Sequence, residues 1–269
     1  MRARDVTSLL ERLSERDLAV LESLRTYRLL TTALVRRLHF AHGHATIGAA
    51  SGATMRVLTR LEQHRLIARL GRRIGGVRAG SSGITWQFAS TGERLLRTLH
   101  GETKRRRYVE PSAAFVNHTL AVAELAVQLQ ELHGVGTIEL LRLETEPRCW
   151  RSFVGSHGSR QWLKPDLYAV TASGDYEDHW FTEADLATEH LPDVVRKAEV
   201  YQRYAATGAY QAEQGVFPAV VWVVPSEKRQ RALEEALAKE KSVQTELFQV
   251  TTAANFPGHI TARESSRHE

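Results

Sequence analysis

Apolar residues recur at helical spacing three times in the first hundred positions. Leu18, Leu21 and Leu24 form one stripe behind Ser14, whose S-E-R-D start is an N-cap signal. Thr31-Thr32 caps a second stripe, Leu34, Val35 and Leu38. Small residues from Ala41 to Ala50 break the pattern, and a third helix, Ser51 to Leu66, carries Met55, Leu58, Leu61 and Leu66. The period then changes. Ile67–Leu70 predicts a strand, and Gly75-Gly76 with Gly80–Gly83 a turn. Ile84-Thr-Trp-Gln-Phe88 alternates as a half-buried returning strand, and Thr91 opens a short helix to His100.

From Ala113 onward helices and strands alternate. Ala113–Leu132 is predicted helical, with Leu120, Ala123, Leu125, Val127 and Leu129 apolar. Strands are predicted at Ile138–Leu143, within Arg160–Val170, and at Trp180–Ala187. A helix follows to Ala206 with Pro192 in its first turn. Val216–Val224 is almost continuously apolar, as in a strand buried on both faces. A helix, Ser226–Glu240, and a strand, Thr245–Thr251, complete the order α-β-β-β-α-β-α-β. That order implies an α/β (α+β) protein with a mixed sheet flanked by helices. The stretch HGETKRRRYVEPS reads as a linker. The expected domains are 1–103 and 113–269, joined by 104–112.

Charge divides the chain the same way. Residues 1–110 hold 21 Lys+Arg against 9 Asp+Glu, a net of +12, and the remainder nets −7. A basic half of this kind expects a polyanion, usually nucleic acid. A single cysteine, Cys149, excludes an internal disulfide framework and suits a reducing cytoplasm. No apolar run approaches membrane-helix length, and the arginine- and acid-rich start is unlike a secretion signal. The expectation is a cytoplasmic protein without membrane insertion.

Within the basic half, a helix suits the major groove, with its first residues at base edges. Ser51, Thr54 and Arg56, with Arg60 further along, are the candidates there. Arg72, Arg73 and Arg78 lie on or beside the predicted hairpin, where they would reach phosphates. The other reading of each arginine is a solvated surface residue.

The acidic half concentrates carboxylates near strands. Asp166 follows Pro165, and Glu183 and Asp185 stand two apart, on one face of a continuous strand. Such acids must be hydrated, paired or bound to a metal such as Mg²⁺ or Mn²⁺. Pairing with Arg or Lys of a neighbouring helix is the competing expectation. Gly-rich segments lack the lysine of a phosphate loop, and His42 and His44 lack partners for a histidine metal cluster. Tyr201 and Tyr204 are expected to pack their helix on the sheet.

Three resemblances carry these observations further. TYRLLTTALVRRLHF, ATMRVLTRLEQHRLIARL and ITWQFASTGERLL resemble the supporting helices, the recognition helix with first wing strand, and the returning strand of a winged helix-turn-helix. The second half resembles the PD-(D/E)xK nuclease fold. Lys164-Pro165-Asp166 matches its first element, while Glu183-Ala184-Asp185 puts aspartate where the lysine belongs. Lys197 in the next helix would supply it, and Glu124, with His118 second, would occupy the place of the extra acid on the preceding helix. With N-H-T-L-A-V-A-E-L and K-x-x-x-Y-x-x-Y added, the chain resembles the plasmid replication-relaxation family through His118, Glu124, Asp166, Glu183, Asp185, Lys197, Tyr201 and Tyr204.

The resemblance implies a DNA-binding protein of a mobile element, acting in plasmid or conjugative replication or transfer. It implies double-stranded DNA as partner, alongside other replication or transfer proteins or a second copy of the chain. A metal-dependent endonuclease or nickase would use Asp166, Glu183, Asp185 and Lys197, the three acids holding Mg²⁺ or Mn²⁺. An inactive nuclease-fold accessory protein and a winged-helix transcription regulator are the alternatives.

Overall fold

A computed structural model describes residues 9–71, 83–103, 111–155, 158–173 and 176–265, with side chains to 262. The chain divides into two compact units, Met1–Val127 and Gln128–Glu269, and the division falls inside one long helix. The expected linker, 104–112, lies mostly outside the described residues.

In the first unit, α1 (Glu15–Tyr27) starts as its sequence requires. The Ser14 hydroxyl accepts the Asp17 N–H at 3.2 Å, and Asp17 returns the contact to the Ser14 N–H at 2.9 Å. Arg28, at φ 66°, ends the helix. A short strand β1 (Leu29–Thr31) follows, where the pattern predicted helix running into helix. Then come α2 (Thr32–His39), α3 (Ile47–Gln63), β2 (Ile67–Arg69), β3 (Thr85–Phe88) and α4 (Ser90–Leu99). Side-chain caps at Thr31 and Thr46 start α2 and α3. The Thr46 cap lets α3 begin before Ser51, within the small-residue stretch.

β3 pairs antiparallel with both β1 and β2. Val20, Leu21, Leu24, Leu30, Val35, Leu58, Leu61, Trp86 and Leu95 are buried. The Trp86 indole satisfies its N–H on the Thr32 hydroxyl at 2.9 Å. Gly92 permits a close approach: a Cβ there would lie 2.1 Å from the Leu66 carbonyl oxygen.

The second unit follows from α5 (Ala113–Gly134), the helix in which the division falls. Its elements are β4 (Glu139–Thr145), β5 (Arg151–Val154), β6 (Arg160–Leu163), β7 (Leu167–Ser173), β8 (Tyr176–Ala184), α6 (Leu191–Ala206), α7 (Ala209–Gln214), β9 (Ala219–Val224), α8 (Glu227–Lys239), β10 (Phe248–Thr252) and α9 (Phe256–Ser265). Five strands form one mixed sheet in the order β10-β9-β8-β7-β4. β7 runs antiparallel to both β4 and β8, while β8, β9 and β10 are parallel. The chain is thus mixed α/β, as the alternation predicted.

The apolar run of β9 is buried from Val220 to Val224, as a central strand covered on both faces requires. One face of the sheet packs Tyr168, Phe181, Val220 and Trp222 against Val194, Ala198 and Tyr201 of α6 and Leu233 and Leu237 of α8. The residues before Asp166 hold a separate hairpin, β5–β6, where one strand was expected.

Candidate functional site

Antiparallel pairing of β7 and β8 sets Leu167 against Thr182. Continuing that register by one residue sets Asp166 opposite Glu183, with both side chains on one face. Asp166 is 6 % exposed and Glu183 2 %. Helix α6 meets them there. Lys197 and Tyr201 are four residues apart, so they share one side of the helix. Lys197 Nζ donates to Glu183 Oε2 at 2.5 Å, and the Tyr201 hydroxyl donates to Glu183 Oε1. Asp166 Oδ2 accepts the Ala184 N–H at 2.8 Å, tying the start of one strand to the end of the other.

The electrostatics of this group follow from its burial. Loss of water pushes the Glu183 carboxyl up, to about 8; Lys197 pulls against that rise and Asp166 adds to it. Burial also works against the Lys197 ammonium, but Glu183 and Asp166 outweigh it and hold the lysine protonated. The Tyr201 phenol is raised by burial and by Glu183. It is therefore a hydrogen-bond donor to the acid rather than an ionised nucleophile. Tyr204 is a packing residue, its ring 5.4 Å from that of Phe153. Cys149 is also buried beside this group; its thiol donates to the Pro165 carbonyl at 2.9 Å and is raised by burial.

Asp185 does not join them. β8 ends at Ala184, although the Asp185 N–H still reaches the Val223 carbonyl at 3.0 Å; what separates Asp185 from Glu183 is the partner each one meets. Asp185 Oδ1 accepts the Ala187 N–H at 2.6 Å, and Oδ2 accepts Arg229 Nε at 2.7 Å. The same guanidinium donates to the Glu189 carbonyl at 2.8 Å. Asp185 therefore shapes the loop after β8 through an ion pair with α8. Glu124 likewise has its own partner: Arg37 Nη1 lies 2.6 and 2.7 Å from its two oxygens.

The donor set decides whether Mg²⁺ or Mn²⁺ fits. A hard divalent cation needs several available oxygens. Both Glu183 oxygens receive donors, one Asp166 oxygen is engaged by a backbone N–H, and both Asp185 oxygens are engaged elsewhere. Among the described residues, no group of three or more His, Cys, Asp or Glu is placed to hold a metal ion. The expected ligand set of Asp166, Glu183 and Asp185 does not fit the metal as arranged.

The candidate DNA-facing residues of the first unit also separate. Thr54 is fully buried and its hydroxyl donates to the Ala50 carbonyl at 2.8 Å, so it belongs to the core face of α3 rather than to a base-reading face. Arg60 reaches back to buried Asp17 at 2.6 Å. Burial alone would raise Asp17, but hydrogen bonds from Arg60 and Ser14 hold it below the usual carboxylate value. Arg60 is thereby a strut between α1 and α3. Ser51 is half-buried and caps the Ile47 carbonyl at 2.8 Å; Arg56 is exposed. Arg72, Arg73 and Arg78 lie outside the described residues.

Sequence reasoning missed Arg229 and a buried network of Tyr168, His179 and Tyr210. The Tyr210 hydroxyl lies 2.5 Å from that of Tyr168 and 2.7 Å from His179 Nδ1. No local spacing announces it, because the partners come from β7, β8 and α7.

The family model for replication-relaxation matches residues 21–220. The chain belongs to the replication-relaxation family. The matched span runs from α1 through the whole Asp166–Glu183–Lys197–Tyr201 group. Membership points this family member toward plasmid replication or relaxation, and so toward mobile elements. No curated protein and no solved structure gives a significant match. No described helix is long and apolar enough to cross a membrane.

Proposed function

We propose that this replication-relaxation family member binds duplex DNA through its first unit, and that its second unit is a nuclease-like fold that does not cut. The first part rests on one combination. The net charge of +12 over residues 1–110 accompanies helices α1 to α4 and a three-stranded antiparallel sheet, in the order of a winged helix-turn-helix. α3 would be the recognition helix. Its first turn is exposed, built of small residues beside Ile47, and carries no acid, so its positive dipole end can approach phosphate. Arg56, exposed on the same helix, would reach a base edge, and Arg72, Arg73 and Arg78 the backbone.

The second part rests on the engaged carboxylates. Both Glu183 oxygens are taken up by Lys197 and Tyr201, while Asp185 is committed to Arg229. An acid held this way favours a scaffold for assembly with DNA or replication proteins over a water-activating centre.

Fluorescence anisotropy of the whole chain on a labelled duplex tests the reading. Affinity should fall steeply with salt as phosphate contacts release counterions. Arg56→Ala should relax sequence preference, each bidentate base contact being worth about 1–3 kcal/mol of discrimination. Supercoiled plasmid should stay intact with Mg²⁺ or Mn²⁺. Salt-insensitive binding would remove the duplex assignment. Metal-dependent nicking abolished by Glu183→Gln would restore the nuclease.

A further inference from the structure

We propose that the outer face of the β5–β6 hairpin binds single-stranded DNA, stacking bases on Trp162 and holding phosphates with Arg160 and Lys164. The assignment does not rest on duplex binding by α3. The hairpin forms its own two-stranded sheet, apart from the five-stranded one. Its register pairs Ser152 with Trp162, Phe153 with Gln161, and Val154 with Arg160. Partners across an antiparallel pair point the same way, so the hairpin has two distinct faces.

The inner face is occupied. Phe153 and Leu163 are buried in the core of the second unit. The Phe153 ring meets Tyr204, and Gln161 accepts Arg203 Nε at 3.3 Å, both from α6. The outer face is open. Ser152 and Arg160 are exposed, Val154 is 65 % exposed and Trp162 50 %. Just past β6, exposed Lys164 places its ammonium 4.7 Å from the centre of the Trp150 ring.

Charge selects the occupant. From Pro147 to Pro165 there is no acid, while Arg148, Arg160 and Lys164 are basic, within a half of the chain whose net charge is −7; Arg151 faces inward and pairs with Glu144 at 3.1 Å. An aromatic platform set among cations is the arrangement that holds a single strand, because every base offers a stacking face and the phosphates follow the positive charge. A duplex has no such use for Trp162, since its base faces are already covered by their neighbours. At roughly 3.3 Å per residue, four-residue strands span about 13 Å, room for a few bases.

The test uses the full chain and fluorescein-labelled oligothymidine, read by anisotropy at several salt concentrations. Wild type should bind, and Trp162→Ala should weaken binding about 5- to 150-fold, the range for loss of one stacked base. Trp162→Phe should restore most of it. Arg160→Ala with Lys164→Ala should weaken binding and flatten its salt dependence. All these side chains are exposed, so melting should match wild type, and duplex affinity should be unchanged. Failure of wild type to bind oligothymidine would overturn the proposal. So would equal affinities for wild type and both the Trp162 and the Arg160/Lys164 variants, or equal losses on duplex and single strand. A relaxed duplex sequence preference in Arg56→Ala with oligothymidine binding intact would separate this surface from that of α3.

Discussion

Measured against wild type, Glu183→Gln should gain stability as pH rises. Glu183 is 2 % exposed, and burial lifts its carboxyl from an ordinary value of 4.5 to about 8. A carboxyl raised in the folded state lends full stability below its unfolded value. It loses that stability as pH climbs from the unfolded toward the folded value, because folding must then retain a proton that the unfolded chain releases. The slope is about 1.4 kcal/mol per pH unit. Between 4.5 and 8 the penalty therefore reaches about 3 kcal/mol at pH 7 but only about 1 kcal/mol at pH 5. Glutamine keeps the shape and an acceptor oxygen for Lys197 or Tyr201, and Asp166 remains as a counter-charge for the lysine. It carries no titrating proton. The pH-dependent gain of about 2 kcal/mol corresponds to roughly 4–8 °C in melting temperature for a unit of this size. Thermal unfolding followed by tryptophan fluorescence reads it well, since Trp150, Trp162, Trp180 and Trp222 all belong to the second unit. A gap constant from pH 5 to pH 7 would show that Glu183 is ionised in the fold, and would return it to the list of metal ligands.

Two other substitutions check the packing around the candidate regions. Arg229→Met leaves Asp185, whose side chain is 3 % exposed, without its partner, and should cost about 3–5 kcal/mol in urea unfolding; Asp185→Asn added to it should recover much of the loss, and no recovery would refute the pairing as the cause. Gly92→Ala drives a Cβ against the Leu66 carbonyl and should cost at least about 1–3 kcal/mol through overpacking, seen as a lower melting temperature of the first unit; a neutral outcome would mean that α4 shifts freely.

Much of the fold was legible because it is local. Helical stripes such as Leu21-Leu24 and Leu58-Leu61 became buried faces, while Leu18 is only partly covered and Val20 takes the inward place beside Leu21, since spacing of three and four residues decides which side of a helix is apolar. The unbroken run of β9 announced a strand covered on both sides, and the alternation of elements announced a mixed sheet. The approach of Lys197 to Glu183 was also foreseen, through the resemblance that places a migrated lysine in the helix after that strand.

What the tertiary structure alone decided were partners distant in sequence and the places where elements stop. Spacing put Asp185 beside Glu183, but spacing does not say that Glu183 meets Lys197 and Tyr201 of α6 while Asp185 meets α8. Asp185 answers to Arg229, 44 residues away. Thr54 occupied a plausible position in a recognition helix, yet the rotation of α3 on its core turned it inward. Arg60 looked like a free cation until α1 brought buried Asp17 to it. β1 needed the vacant edge of β3 to become a strand at all, because three residues carry too weak a local pattern. The sequence by itself thus determined most of the helices and the principal strands, the charge division and the family. Three-dimensional packing determined which carboxylates have partners, because a buried charge is governed by whatever the fold brings within hydrogen-bonding reach.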